Sequence, residues 1–265
     1  MKTNILFTCI LILILFSCTK PFEDNDLPQR QLKSIVFEGQ ADSIGIRHPV
    51  SMDFYYDQNK KLDVIIAKGV FETREFKYHY NSNGSLEKIV RVGSLDTTQK
   101  QVSKYEYEQG NLVSVTRYST SGLYSSKGDL EYDMGRITRY TKYSKVNSAL
   151  QAEEKYLFQY DRRGNMVQQE IFFSNDEEGF DWVKTFEFSY DNKKNPLKGY
   201  HLFEGMEPIL LNTPLLYNSN NVCEWTLKEG SRADSWDIDY TYEKGYPVKG
   251  TVPGNESLNR TYSYY

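Results

Sequence analysis

Residues 156–166 read Tyr-Leu-Phe-Gln-Tyr-Asp-Arg-Arg-Gly-Asn-Met, and the architecture can be worked out from this segment. Every second residue up to Tyr160 is aromatic, which is the period of a strand with one apolar face. Asp161 then opens a turn, because its side chain can accept hydrogen bonds from backbone N–H groups two residues on. Gly164 closes the turn, because glycine tolerates positive φ. The segment therefore predicts a strand, a tight turn and a second strand.

The same pattern recurs along the chain at intervals of 24 to 30 residues. Such a fixed period is the signature of a repeat architecture. Eight copies begin at Tyr56-Asp57, Tyr80-Asn81, Tyr107-Glu108, Tyr132-Asp133, Tyr160-Asp161, Tyr190-Asp191, Tyr217-Asn218 and Tyr242-Glu243. The turn glycines are Gly84, Gly110, Gly135, Gly164 and Gly245, and in the remaining copies Lys60, Lys194 and Asn220 stand at the glycine position.

The strand that leaves each turn has a different spacing. Leu86 and Ile89 are three residues apart, as are Leu112 and Val115. An odd spacing puts two residues on opposite faces of a regular strand. A β-bulge after the turn would return both to the same face, so we predict a bulge there.

The composition supports an all-β protein. Aromatic residues make up 15% of the 265 residues, and alanine occurs only five times. Aromatics favour strands, whereas helices are usually rich in alanine. We expect an antiparallel meander of about eight repeated hairpins, roughly 18 strands, closed or curled into a large barrel, either round or flattened. The tight turns then lie at one end and the longer connections at the other.

The amino terminus reads as a targeting segment. Met1 and Lys2 precede a short apolar run at 5–16, as in a secretory signal peptide. Leu15-Phe16-Ser17-Cys18 resembles the bacterial lipobox, which implies cleavage before Cys18 and its lipidation. We predict a signal peptide at 1–17, a flexible tether at 18–33 and one repeat domain at 34–265. The alternative is an ordinary signal peptide in which Cys18 is incidental.

The repeat resembles the YD repeats of Rhs-type proteins, through the unit from Tyr160 to Met166 and the shorter unit from Tyr107 to Leu112. With the lipobox, the chain resembles a family of uncharacterised Bacteroidota lipoproteins described as having a porin-like fold. The resemblance implies an outer-membrane lipoprotein that faces the periplasm or the cell surface. The repeat motif specifies strand, turn and strand, and carries no catalytic residue. The chain is too short to build the enclosing shell of large Rhs proteins.

Few residues of the chain suggest a catalytic or metal-binding site. The net charge of −4 gives no reason to expect nucleic acid. His48, His79 and His201 are scattered, so neither a metal nor a cofactor is expected. Cys223 reads as a small core residue, and the acids at 176–178 read as a solvated loop. Trp182, Trp225 and Trp236 could either pack in the core or stack on sugar rings. Of these two interpretations, packing in the core is favoured.

Three functional hypotheses follow. The first is a non-enzymatic envelope lipoprotein that binds a glycan or protein ligand through its long-loop end or its aromatic interior. The second is a glycan-active enzyme that uses paired carboxylates, and the third is a purely structural envelope protein. A barrel inserted in the membrane is disfavoured because leaving strands carry charge on both faces. The residues that show this are Lys88 and Arg91 in one copy, and Arg139 and Lys142 in another.

Overall fold

The computed structural model describes residues 30–38, 51–69, 72–98, 100–119, 124–146, 149–175, 179–198 and 218–265. The predicted signal peptide, Cys18 and most of the tether lie outside these residues. So do Tyr217, His48, His201 and the acids at 176–178.

The described residues form 17 strands, and their one helical turn is a 3-10 turn at Glu256–Leu258. The strands are β1 (Leu32–Phe37), β2 (Ser51–Tyr56), β3 (Leu62–Lys68), β4 (Thr73–Tyr80), β5 (Leu86–Gly93), β6 (Lys100–Glu108), β7 (Asn111–Ser119), β8 (Tyr124–Asp133), β9 (Arg136–Val146), β10 (Ala149–Tyr160), β11 (Met166–Ser174), β12 (Phe180–Lys194), β13 (Asn220–Glu229), β14 (Arg232–Asp237), β15 (Asp239–Glu243), β16 (Tyr246–Thr251) and β17 (Arg260–Tyr264). The predicted all-β class is confirmed.

The strands form an antiparallel meander that nearly closes into a barrel. Each strand except β14 pairs with the next along the chain, and β1 also pairs with β17. One seam remains, because no ladder joins β14 to β15 in the part of the chain that the structure describes. Ile238 alone separates these two strands in the chain, and its N–H donates to the Cys223 carbonyl at 2.8 Å. The continuous segment formed by β14 and β15 thus pairs first with β13 and then with β16.

The predicted bulge follows the turn in the described hairpins that carry a repeat tyrosine. In the second hairpin His79 lies opposite Lys88, but Tyr80 lies opposite Leu86, so Glu87 is the extra residue. Leu86 and Ile89 are both buried as a result. Equivalent shifts occur before the repeat tyrosine in the hairpins of Tyr56, Tyr107, Tyr132, Tyr160, Tyr190 and Tyr242.

The strands that close the ring form a split copy of the same unit. Leu32 of β1 lies opposite Tyr264 of β17, and Ser34 lies opposite Ser263, so Lys33 occupies the bulge position. Leu32 is fully buried, like the first apolar residue after each turn. The two ends of the repeat region therefore replace a covalent turn with strand pairing.

The tight turns are of two kinds. The five-residue turns at 57–61, 81–85 and 161–165 have a left-handed residue at the fourth position, with φ of 64° at Lys60, 87° at Gly84 and 89° at Gly164. The shorter turns have two successive left-handed residues, which defines the type I′ hairpin turn. These pairs are Gln109-Gly110, Met134-Gly135 and Lys244-Gly245.

The sixth copy departs from the predicted hairpin. Lys194 ends β12 and Asn220 begins β13, and neither is left-handed, so both predictions of a glycine-like role were wrong. Lys194 pairs directly with Asn220. β12 and β13 are therefore direct neighbours in the sheet.

The inner face is mainly apolar towards the tight turns. Phe54, Ile65 and Phe76 are almost fully buried and belong to one cluster that reaches from β1 to β17. The repeat tyrosines are partly buried and pack against this cluster. The barrel is therefore filled with side chains at this end.

Replacing Lys60 with Gly should raise the free energy of unfolding by about 0.5–1 kcal/mol. A left-handed L-residue costs about 1–2 kcal/mol, and the extra entropy of unfolded glycine offsets part of the gain. Urea unfolding at pH 7 measures the change. Asn59→Gly, in the same turn but without a left-handed backbone, should instead lower stability. A Lys60→Gly variant no more stable than the parent would contradict the backbone assignment.

Candidate functional site

The residue after each repeat tyrosine caps its turn in the five-residue hairpins. Asp57 Oδ1 accepts hydrogen bonds from the N–H groups of Asn59 and Lys61, both at 2.8 Å. Asn81 Oδ1 makes the same pair of contacts in the next hairpin, at 3.0 Å. Asp161 Oδ1 accepts from the Asn165 N–H at 2.8 Å. These side chains satisfy turn N–H groups, so their role here is structural.

The repeat tyrosines link neighbouring hairpins. Four of them, and Tyr264 of β17, donate a hydroxyl hydrogen bond to the carbonyl of the first buried residue after the preceding turn, or of its counterpart in β1 or β16. The distances are 2.8 Å for Tyr56 to Leu32, Tyr80 to Leu62 and Tyr160 to Ile137, and 2.7 Å for Tyr264 to Pro247, while Tyr190 donates to Met166. We call this contact the tyrosine pin.

Asparagines replace the tight turn where β12 meets β13. Asn218 is fully buried; its Oδ1 accepts from the Met166 N–H at 2.6 Å and its Nδ2 donates to Tyr190 Oη at 2.7 Å. Asn221 donates to Asp191, which also accepts from the Tyr242 hydroxyl. These amide contacts hold the residues before and at the start of β13 against β11 and β12.

Burial raises the pKa of several repeat tyrosines. It is the largest cause for Tyr132, Tyr160 and Tyr190, which lie in neighbouring hairpins. The pKa of Tyr242 is also raised, first by burial and then by its hydrogen bond to Asp191. These hydroxyls therefore stay protonated, as donors, at neutral pH.

The inner wall changes character away from the tight turns. On the strand that leaves a tight turn, two apolar residues face inwards. The next inward residue is a cation in three successive hairpins: Arg91 on β5, Arg117 on β7 and Lys142 on β9. Arg91 lies opposite buried Phe76, Arg117 opposite Ser103 and Ser126, and Lys142 opposite Gly128, which fixes all three on the inner face. The three residues are half-buried, and Nε and Nη2 of Arg117 are themselves buried.

A second bulge brings two carboxylates to the same lysine. Ala152 lies opposite Tyr143 and Glu154 lies opposite Lys142, so Glu153 is the extra residue. Lys142 Nζ is 2.8 Å from Glu154 Oε1 and 3.6 Å from Glu153 Oε2. The Glu154 side chain is 17% exposed and that of Glu153 is 49% exposed. Ser144 donates to Glu153, and Tyr156 donates to Glu154.

Small polar residues separate the cations. Ser103 and Ser126 are both buried, and Ser126 Oγ has no hydrogen-bond partner within the described ranges. Gly128 lies beneath Tyr140, whose ring would be 2.2 Å from a Cβ placed there. We call the whole surface the inner polar patch, and it consists of Arg91, Gln101, Ser103, Arg117, Ser126, Lys142, Ser144, Glu153, Glu154 and Tyr156.

Two tryptophans lie on the inner face and one does not. Trp225 and Trp236 are cross-strand neighbours whose rings stack at 4.3 Å, and both pack against the core. The expectation that Trp182 faces the core was wrong, since it is 42% exposed. A register shift makes Val183 an extra residue, which turns Trp182 outwards opposite Phe172.

The predicted core position of Cys223 was also wrong. It is the extra residue of a bulge and is half-buried, whereas a core position was expected. Its thiol is free, and burial raises its pKa. Thiolate chemistry is therefore disfavoured.

Sequence reasoning noted Arg91 and Lys142 only as charges and missed Arg117, Ser126 and the two glutamates. The signal was available, because Arg91, Arg117 and Lys142 each follow a repeat tyrosine by ten or eleven residues. The bulge at Glu153 left no such signal. Among the residues that the structure describes, no group of three or more His, Cys, Asp or Glu side chains could hold a metal ion.

Among the described residues, no helix is both long enough and apolar enough to cross a membrane. No protein-family model matches the chain, and no curated protein matches it. A porin-like protein from Bacteroides uniformis ATCC 8492 has a similar structure, with a TM-score of 0.57 and 9% identity over 90% of this chain and 99% of that chain. A porin-like protein from Bacteroides vulgatus ATCC 8482 gives a TM-score of 0.48 and 11% identity, covering 89% and 99%. At such identities the likeness to the first protein shows a shared barrel-like fold.

Tyr80→Phe should lower the free energy of unfolding by about 1 kcal/mol, because it leaves the ring in place and removes one hydrogen bond from a partly buried carbonyl. Urea unfolding measures the loss. Tyr55→Phe is the matched control, since Tyr55 is 45% exposed and lies on the outer face. Equal effects of the two substitutions would show that the pin does not stabilise the barrel.

Stability should fall at alkaline pH. Above about pH 10 the unfolded tyrosines ionise while the buried ones remain protonated, so rising pH favours unfolding by about 1.4 kcal/mol per pH unit for each tyrosine. Below that pH the contribution is fully present. Urea midpoints from pH 7 to 11 test this, and Tyr160→Phe should give a shallower decline. Ionisation of the pinned tyrosines near pH 10 in the folded protein would contradict it.

Proposed function

We propose that this chain is a non-enzymatic outer-membrane lipoprotein, anchored through Cys18, whose repeat barrel binds a ligand. The observation that carries the binding role is the inner polar patch. Ser103 and Ser126 of this patch are buried polar residues. Buried polar groups are costly for a purely structural barrel, because apolar residues would pack better there. The barrel-like fold shared with a porin-like Bacteroides protein is consistent with an envelope protein.

The proposed site lies at the loop end of the barrel. Towards the tight turns the interior is filled by the aromatic cluster, which leaves no room for a solvated ligand at that end. Towards the loops, the exposed part of Glu153 and the half-buried arginines meet solvent. A glycan suits this wall better than an extended peptide, because hydroxyl groups can pair with both the carboxylates and the serines.

Anchoring is tested by labelling cells with radioactive palmitate. The parent chain should incorporate label and fractionate with the outer membrane, whereas Cys18→Ala should lose both properties. Cys9→Ala is the matched control, because Cys9 lies in the segment expected to be cleaved. Label that persists in Cys18→Ala would contradict the proposed anchor.

Binding is tested by screening the full-length chain against glycan, peptide and protein panels. A saturable glycan ligand is expected, with affinity reduced at least tenfold by Lys142→Ala, which breaks the ion pairs with both glutamates. Lys68→Ala removes an outer ion pair with Asp53 and should leave binding unchanged. The absence of any saturable ligand would count against a binding role and would favour a purely structural envelope protein.

A glycan-active enzyme is the second candidate, favoured by the adjacent carboxylates of Glu153 and Glu154. Paired carboxyl groups perform acid, base or nucleophile roles in glycoside hydrolysis. Here both groups contact Lys142. Turnover of a polysaccharide that disappears in a Glu153→Gln/Glu154→Gln variant would establish the enzyme and overturn the proposal.

A further inference from the structure

We propose that the tight-turn end of the barrel docks on a membrane surface that carries anionic phospholipid headgroups. The docking surface is a set of exposed cations at this end, which we call the basic turn surface. It consists of Lys60, Arg136, Arg162, Arg163, Lys193, Lys194 and Lys244. This inference rests on the proposed lipid anchor and adds how the barrel is oriented on its membrane.

The exposed charges of the turn tips are mainly positive. The described residues include seven turn segments that follow a repeat tyrosine, at 57–61, 81–85, 108–111, 133–136, 161–165, 191–194 and 243–245. These segments carry the seven exposed cations, whereas three of their acidic residues are exposed, namely Glu108, Asp133 and Glu243. The formal net charge of the whole chain is −4, so this end differs in sign from the chain as a whole.

The aspartates of the neighbouring turns are half-buried and bind backbone N–H groups. Asp161 Oδ1 accepts from the Asn165 N–H at 2.8 Å, and Asp191 Oδ1 accepts from the Lys193 N–H at 2.9 Å. Apart from Lys194, the cations of the basic turn surface form no ion pair within the described ranges of the chain. These exposed cations therefore remain available to anionic groups outside the protein.

Hydrogen bonds join neighbouring turns into one surface. Arg136 Nη1 donates to the Asp161 carbonyl at 3.2 Å, which links two successive turns. Asn220 bridges to the next turn, because its side chain accepts from Asn165 Nδ2 and donates to the Lys193 carbonyl, both at 3.1 Å. Cations on separate hairpins are thus held side by side and can act together on one flat surface.

The chain enters the barrel at this end, which is the end nearest in the chain to the proposed anchor. Gln31 Nε2 donates to the Lys60 carbonyl at 3.0 Å, and the Tyr265 N–H donates to the Gln31 carbonyl at 3.1 Å. Twelve residues separate Gln31 from Cys18. A chain of that length spans at most about 45 Å. A lipid on Cys18 therefore keeps the basic turn surface near the headgroups, and attraction between cations and anionic lipids adds to the anchor.

An exposed apolar side chain lies among these cations. Met134 is 79% exposed in the same turn as Arg136. Apolar side chains flanked by Lys and Arg suit the boundary between headgroups and acyl chains. A soluble anion or a nucleic acid would contact the cations and gain nothing from this methionine. In the proposed orientation the loop end, with the inner polar patch, faces away from the membrane and stays open to a ligand.

Energy transfer to lipid headgroups tests the orientation, with protein purified from the cell envelope and mixed with vesicles. A fluorophore is attached at Met134→Cys, at the tight-turn end, or at Leu150→Cys, at the loop end, each combined with Cys223→Ser. The vesicles are phosphatidylcholine with a trace of rhodamine-labelled lipid, alone or with phosphatidylglycerol at about 30%. In the anionic vesicles, transfer from position 134 should be at least about twice that from position 150 and should fall as salt rises from about 50 to 300 mM.

Arg162→Glu/Arg163→Glu should reduce transfer from position 134 in the anionic vesicles by at least about half, because the reversed charges are repelled by the headgroups. The matched control is Lys228→Glu/Arg232→Glu, which makes the same change of charge at the loop end, on side chains that are 45% and 76% exposed. The control should leave transfer nearly unchanged. Circular dichroism and urea midpoints establish that both variants fold.

Equal transfer from the two labelled positions in anionic vesicles would overturn the inference, as would equal effects of the two charge-reversal variants. A response to anionic lipid that appears only after Glu23, Asp24 and Asp26 are neutralised would also overturn it, because the chain's own acidic segment would then occupy the basic turn surface. A chain without lipid on Cys18 that shows the same preference for anionic vesicles would support the docking surface and reject the anchor alone.

Discussion

The tyrosine pin is the contact on which the rest of this barrel depends. A hairpin by itself is marginally stable in water, so each unit needs its neighbour. The pin joins the two by a hydroxyl donated to a main-chain carbonyl, as Tyr80 does to Leu62. The bulge beside it returns the next apolar residue, such as Ile89, to the interior. Pin and bulge together let one short motif bury its own aromatic face against the preceding copy.

The same unit explains how the ring closes. Repeat proteins usually need distinct caps at their ends, because terminal repeats expose an unpaired side. Here β1 and β17 pair as the two halves of a hairpin without a turn, and Tyr264 pins to Pro247 as the other tyrosines pin to their neighbours. The remaining seam between β14 and β15 lies where one segment changes partners at Ile238. The barrel thereby leaves few strand edges exposed.

The residues that stabilise the fold and those of the proposed binding site are separated along the barrel axis. Turns, pins and the buried aromatic cluster occupy one end, where Asp57, Gly84 and their equivalents satisfy the backbone. Because those positions stabilise the fold, the third inward residue of a leaving strand does not have to be an apolar core residue. In three successive hairpins that position is Arg91, Arg117 or Lys142. A repeat scaffold can therefore change its ligand chemistry at one register position without altering its turns.

The sequence by itself determined the period, the turns, the alternation and the need for a bulge, because these are local consequences of Tyr, Asp and Gly at fixed spacing. It therefore predicted the meander and inward-facing residues such as Phe158 and Ile89. Only the tertiary structure decided which charges share the inner wall. Irregular bulges at Val183 and Glu153 reverse the faces that a strict period of two assigns, and pairing between distant strands sets where each cation meets its neighbours.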